Sequence, residues 1–259
     1  MAEDDRTLGK PRPAPRWAPF ALGWSFLTAF PAPAVDATPN VLAAALASFP
    51  LVGATIGAGL GGVGLILDRV LPPAPVAVFV VALSVLVTGG LHLDGLMDTA
   101  DGVFGGRSVE RRLEIMRDSR VGAFGVGAGV ATLLGQYSCL GELTSVARLT
   151  GLIAALTMAR WAIVLSMVWF PSARQTGLGA TFQQACSRRT AVGATALAAL
   201  IGLANGTNGF LALVGTALVT AGIGSFLTRR LGGLTGDCYG AIAVVVETLV
   251  LYLAVAQVR

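Results

Sequence analysis

The chain has 259 residues, of which 54% are hydrophobic and only 12% charged, and it carries a net charge of +4. A mean hydropathy of +0.75 together with so little charge excludes an ordinary soluble domain of this length. Apolar segments of about 18 or more residues recur, each long enough to cross a roughly 30 Å hydrocarbon core as a helix. Backbone groups in lipid must be satisfied internally, and the period-2 alternation of an outer-membrane barrel is absent. The expected fold is all-α, a polytopic transmembrane helical bundle.

Residues 1–16, MAEDDRTLGKPRPAPR, are polar and proline-rich and read as a disordered cytoplasmic tail without the apolar region of a signal peptide. Residues 17–259 then form a single membrane-embedded domain. Residues 17–30 are apolar and aromatic but end at Pro31 and Pro33, which suits a short interfacial helix. The first span covers about 41–67, with Gly53, Gly57 and Gly61 at i+4 spacing for close helix packing. A proline loop leads into a second span at about 76–91. Further spans fall near 121–140, 146–170, 190–203, 210–227 and 239–258, giving about seven. The cysteines Cys139, Cys186 and Cys238 lack any CxxC or CxH spacing and read as small helix residues.

Positive residues set the orientation. Fourteen of the 18 Lys and Arg residues fall in the tail, in the stretch 92–120, and in the loops after the fourth and sixth spans. Arg69, Arg148 and Arg259 lie on the opposite side, and Arg160 lies within a span. The expected location is the cytoplasmic (inner) membrane, with the 92–120 stretch facing the cytoplasm. No nucleic-acid partner is expected, and the small-residue helix faces permit self-association without requiring it.

Chemistry concentrates in 91–125, which holds six of the 14 acidic residues and five of the 17 arginines. On a helix, Asp94, Asp98 and Asp101 share one side at i, i+4 and i+7. Such stacked like charges repel unless protonation or a cation relieves them. After a glycine-rich turn, Ser108 suits an N-cap for a second helix, on which Glu114 and Asp118 again sit at i, i+4. Two facing helices of this kind would make an all-oxygen site for one or two Mg²⁺ or Mn²⁺ ions, the geometry of phosphoryl transfer. Arginine forks fit phosphate oxygens, so Arg107, Arg111, Arg117 and Arg120 are candidate substrate contacts, with Arg111 three residues before Glu114. The alternative is that these arginines neutralise the acids or meet anionic lipid. His92, the sole histidine, could orient a carboxylate or relay a proton. Arg160 and Glu247 lie within spans, where charges are costly, so Arg160 either reaches substrate or pairs with Glu247. The glycine-rich loop at 232–237 offers backbone N–H groups beside Thr235 and Asp237.

HLDGLMDTADG (92–102) followed by LEIMRDSRVGAFG (113–125) resembles the cobalamin synthase family, the membrane-embedded adenosylcobinamide-GDP ribazoletransferases. FLTAFPAP (26–33), FPLVGATIGA (49–58), ARQTGLGATF (173–182) and RRLGGLTGDCYGA (229–241) resemble its other blocks. Ala29 departs from the family pattern, which commonly has arginine there. The resemblance implies that a hydroxyl of α-ribazole or its 5′-phosphate attacks the cobinamide-linked phosphate of adenosylcobinamide-GDP. GMP leaves, adenosylcobalamin or its 5′-phosphate forms, and Mg²⁺ is required. The family also resembles the CDP-alcohol phosphotransferases, whose four acids surround two metals. By that likeness Asp98, Asp101 and Glu114 hold metal and Asp118 holds metal or acts as the base, while Asp94, which belongs to the cobalamin synthase block, is a further ligand. Here the intervening segment is shorter, and the third acid is Glu rather than Asp. The loop residues Thr235 and Asp237 gain a substrate-binding expectation from the cobalamin synthase block at 229–241.

Two other classes compete. A membrane prenyltransferase would carry its aspartate motifs in two separated halves, whereas both acid sets here lie within 25 residues. A cation-coupled transporter would place its acids in mid-span.

The charge asymmetry generates a topology test. A cysteine placed at Ser108 in a cysteine-free background should resist an impermeant reagent in intact cells and react once the membrane is opened. Efficient labelling from outside would invert the orientation.

Overall fold

The structure, a computed structural model, describes residues 14–257, so most of the predicted tail lies outside the described residues. Among the described residues, eleven helices make up most of the chain: α1 (Ala18–Leu27), α2 (Pro39–Leu67), α3 (Pro73–Val87), α4 (Leu91–Gly105), α5 (Val109–Ile115), α6 (Ala123–Glu142), α7 (Ser145–Trp169), α8 (Leu178–Ala185), α9 (Arg188–Leu203), α10 (Thr207–Leu231) and α11 (Gly236–Ala256). No strand occurs among the described residues, and a single isolated bridge joins Ser172 to Leu234. The expected all-α membrane bundle is what forms.

Local chemistry marks the helix starts. Thr38 accepts a hydrogen bond from Val41 N, with Pro39 in the first turn, and Thr144 does the same for Ala147 N. At α9 the Ser187 and Thr190 side chains form a reciprocal capping box. Helix α10 stops at Gly232, whose φ of +78° only glycine adopts without strain.

Five helices, α2, α6, α7, α10 and α11, are long and apolar enough to cross a membrane. The expected count of about seven is reduced because two segments are short. Helix α9 has 16 residues, and α3 has 15 because the chain breaks at Thr88–Gly89–Gly90. Gly89 and Gly90 both take positive φ, +61° and +71°, so the second predicted span ends early and α4 leaves α3 at 86°. Counted together, α3 and α4 make a sixth, broken span. Helix α1 is short, as its proline boundary requires.

The core is centred on α7, buried almost continuously from Gly151 to Met167. The glycine ladder of α2 lies directly against it. A Cβ on Gly57 would sit 2.7 Å from Ile153 Cα, one on Gly61 2.7 Å from Leu149 Cα, and one on Gly53 would strike Leu156 O. Backbone-to-backbone packing of this kind replaces the hydrophobic drive that lipid cannot supply. Phe26, Phe49 and Phe182 stack with centroids 4.4–6.0 Å apart and fix α1 and α8 to the end of α2. At the opposite end, Arg148 is sealed in. Its Nη1 meets Asp68 Oδ1 at 2.7 Å, while Nε and Nη2 donate to Leu140 O and Leu143 O. That one guanidinium ties together α2, α6 and α7.

The ladder yields a stability test. Gly57→Ala should cost about 1–3 kcal/mol through overpacking. Gly59→Ala, with nothing within 4 Å of the added carbon, should change stability by less than about 0.5 kcal/mol. Thermal unfolding of purified protein in detergent separates the two.

Candidate active site

Helix α4 packs on α11 at van der Waals limits. A Cβ on Gly95 would lie 2.7 Å from Asp237 O, and one on Gly240 would lie 3.2 Å from His92 Cα. Only glycine at these two positions lets the helices approach so closely, and the approach puts the acids of α4 beside Asp237. Asp98 feels the negative charges of Asp94, Asp101 and Asp237, opposed by Arg174.

Beside this contact lies a cavity of about 260 Å³. Its walls are the start of α4, the loop 172–177, and the first turns of α8 and α11. His92, Asp94, Arg174, Asp237 and Tyr239 face it. Thr235 caps α11, accepting from Cys238 N at 3.3 Å and donating to Asp237 Oδ2 at 3.2 Å. Gly177, at φ +104°, starts α8. Two helix N-termini therefore flank the cavity, an arrangement suited to an anion.

The five predicted metal ligands do not come together. Asp101 is buried and turned away from the cavity. Its Oδ2 accepts from Gly122 N at 2.7 Å and its Oδ1 from Gly125 N at 2.8 Å, so it caps α6 from a neighbouring helix. Glu114 is exposed and pairs with Arg111 at 2.8 Å. Asp118 pairs with Arg120 at 2.7 Å through a two-pronged contact. The Arg120 hydrogen bonds hold the Asp118 carboxyl down to about 2. Because that value is depressed, the carboxylate is ionised at neutral pH and the pair is lost only as pH falls through about 2. Among the described residues, no three His, Cys, Asp or Glu side chains converge as a metal site.

The predicted arginines are also displaced. Arg107, Arg111, Arg117 and Arg120 are exposed on and around α5, and none lines the cavity. Arg160 is fully buried at mid-bundle with Nη1 3.2 Å from Glu247 Oε2, so of the two readings offered for it, pairing is the one realised. It faces a separate small void with Gln136, and His92 stands between that void and the cavity. Arg174 is the charged residue that sequence patterning did not single out. It fell within the 173–182 block and counted there only as a positive loop residue.

A family model described as cobalamin-5-phosphate synthase matches residues 19–255. An adenosylcobinamide-GDP ribazoletransferase of Desulforamulus reducens is 42% identical over 238 residues, covering 90% of this chain and 94% of that protein. One from Roseiflexus sp. is 40% identical over 258 residues, covering 97% and 95%. One from Escherichia coli is 40% identical over 211 residues, covering 80% and 85%. No solved structure matches.

The two kinds of aspartate on α4 should separate on mutation. Asp101→Asn leaves one of two backbone N–H groups without its anionic acceptor and should cost about 1–2 kcal/mol. Asp94→Asn, at an exposed position, should leave the unfolding temperature within a degree or two. Equal behaviour of the two variants in thermal unfolding would undo the capping assignment.

Proposed function

Since this chain belongs to the cobalamin-5-phosphate synthase family, we infer that it is an adenosylcobinamide-GDP ribazoletransferase whose reaction takes place in the cavity beside Asp94 and Asp237. The observation that supports this location is the meeting of carboxylates, an arginine and two helix N-termini around one opening. A diphosphate with its counter-cation needs that mixture of charges.

The reaction transfers phosphocobinamide from GMP to a hydroxyl of α-ribazole or its 5′-phosphate. One P–O bond forms to the incoming oxygen, the anhydride P–O bond to GMP breaks, and the hydroxyl proton needs an acceptor. His92 and Asp94, which face the cavity, are the groups placed to take that proton. The helix N-termini at Gly177 and Thr235 orient the phosphates. Phe26 and Tyr239 offer apolar wall against the larger parts of the substrates.

Mg²⁺ is part of the proposal. That ion keeps several waters and is bound by one or two carboxylates plus substrate phosphates rather than by a complete protein cage. Asp94 and Asp237, which line the cavity, suit that mode, and the negative charge they add around the partly buried Asp98 is what a cation relieves. When bound, it neutralises charge on the transferred and leaving phosphate oxygens.

The chain is a multi-pass membrane protein, and the cavity end is proposed to face the cytoplasm. Arg107, Arg111, Arg117 and Arg120 lie at that end, together with Arg188, Arg189, Arg229 and Arg230. The far end has Arg69 and an Arg148 already neutralised by Asp68.

Purified protein given adenosylcobinamide-GDP, α-ribazole and Mg²⁺ should release GMP and cobalamin in equal amounts. Asp94→Asn and Asp98→Asn should reduce turnover at least tenfold at limiting Mg²⁺ and be partly restored by excess. Glu110→Gln, on the exposed face of α5, should match the parent chain. Full turnover by both aspartate variants at limiting Mg²⁺ would move the reaction away from this cavity.

A further inference from the structure

Arg174 is under-satisfied for a largely buried cation. Its Nε and Nη2 are buried with no hydrogen-bond partner. Its Nη1 reaches Asp237 Oδ2 only at 3.4 Å, well beyond the roughly 2.7–2.9 Å of a tight charge-assisted bond. Asp237 Oδ2 already accepts from Thr235 Oγ1. Leaving guanidinium donors unpaired in a low-dielectric wall is costly, and the cost is relieved by whatever fills the cavity.

The main chain cannot carry Arg174 elsewhere. Ala173 N donates to Leu234 O and Leu234 N to Pro171 O, both at 2.8 Å, so the loop after α7 is stitched to the loop that enters α11. Arg174 N donates to Ser172 Oγ, and Ser172 Oγ donates to Arg174 O at 2.6 Å. With its Cα pinned above the first turn of α11, the side chain stays at the cavity, where it meets carboxylates or an anion that enters.

We propose that Arg174 grips the diphosphate of the nucleotide-linked substrate, giving up its contact with Asp237 for phosphate oxygens as the substrate enters. This rests on the ribazoletransferase reading of the same cavity. The planar fork of arginine matches two phosphate oxygens at once, which the single long contact to Asp237 leaves unused. Asp237 acts as a placeholder, keeping the guanidinium aimed into the cavity while it is empty of anion. Arg111 cannot serve in this way, being held by Glu114 outside the cavity.

The test is equilibrium binding of GDP to the full chain in detergent with EDTA present, read by calorimetry, with thermal unfolding of the same samples. Arg174→Gln should weaken GDP binding about 10- to 100-fold. Arg174→Lys should recover only part of it, because an ammonium lacks the fork. Asp237→Asn removes a competing anion and should tighten binding about two- to fivefold. Should the glutamine variant not fold, Arg174→Lys set against Asp237→Asn carries the same opposite signs. Parental GDP affinity in the folded Arg174 variants, with an equal loss of thermal stability in Asp237→Asn, would make the pair structural and overturn the proposal. If the parent chain turns over substrate in that case, only the role of Arg174 falls. A parent chain that neither binds GDP nor turns over substrate would sink both.

Discussion

Everything at the cavity depends on how closely α4 and α11 touch. Gly95 rests on the backbone of Asp237, and Gly240 rests on that of His92. The Gly95 contact leaves no room for a side chain and the Gly240 contact is tight, and together they set the distance between carboxylates that belong to different parts of the sequence. The crowding of Asp94, Asp98 and Asp237 is electrostatically unfavourable on its own. It persists because packing of the two backbones holds it, as strained or repulsive arrangements at functional sites generally must be held by the surrounding structure.

The arginines divide the same bundle by depth. Arg148 at one end and Arg160 at the middle are each buried against a carboxylate, Asp68 and Glu247. Buried pairs of this kind add little net stability, but removing one partner is severe, so they fix which helices lie together. Arg148 is fully satisfied, whereas Arg160 keeps two buried nitrogens without partners. Arg174, at the cavity, is likewise unfinished. Arg111 and Arg120, on and just after α5, are exposed and engage only their near neighbours in sequence, whereas Arg112 reaches Arg230 O at 3.0 Å.

Much of this was legible in local pattern. Hydropathy marked the apolar helices, the proline pair ended α1, and Ser108 caps α5 as its type and position suggest. The i, i+4, i+7 spacing put Asp94, Asp98 and Asp101 on one helix, but spacing does not say which neighbour a carboxylate meets. Asp101 meets the N–H groups of Gly122 and Gly125, which belong to another helix's start. Glu114 and Asp118 meet arginines three and two residues away, because both carboxylates lie on the solvent-exposed side of the α5 segment. Thr88–Gly89–Gly90 read as apolar continuation, since positive φ at glycine leaves no trace in composition. The approach of Arg174 to Asp237 depends on a two-loop stitch that no periodicity reports.

The break at Gly89–Gly90 also bears on the membrane itself. A 15-residue helix rises only about 22 Å, and the 16-residue α9 only about 24 Å, against a hydrocarbon core of roughly 30 Å. Lipid beside such helices thins, drawing headgroups and water inward.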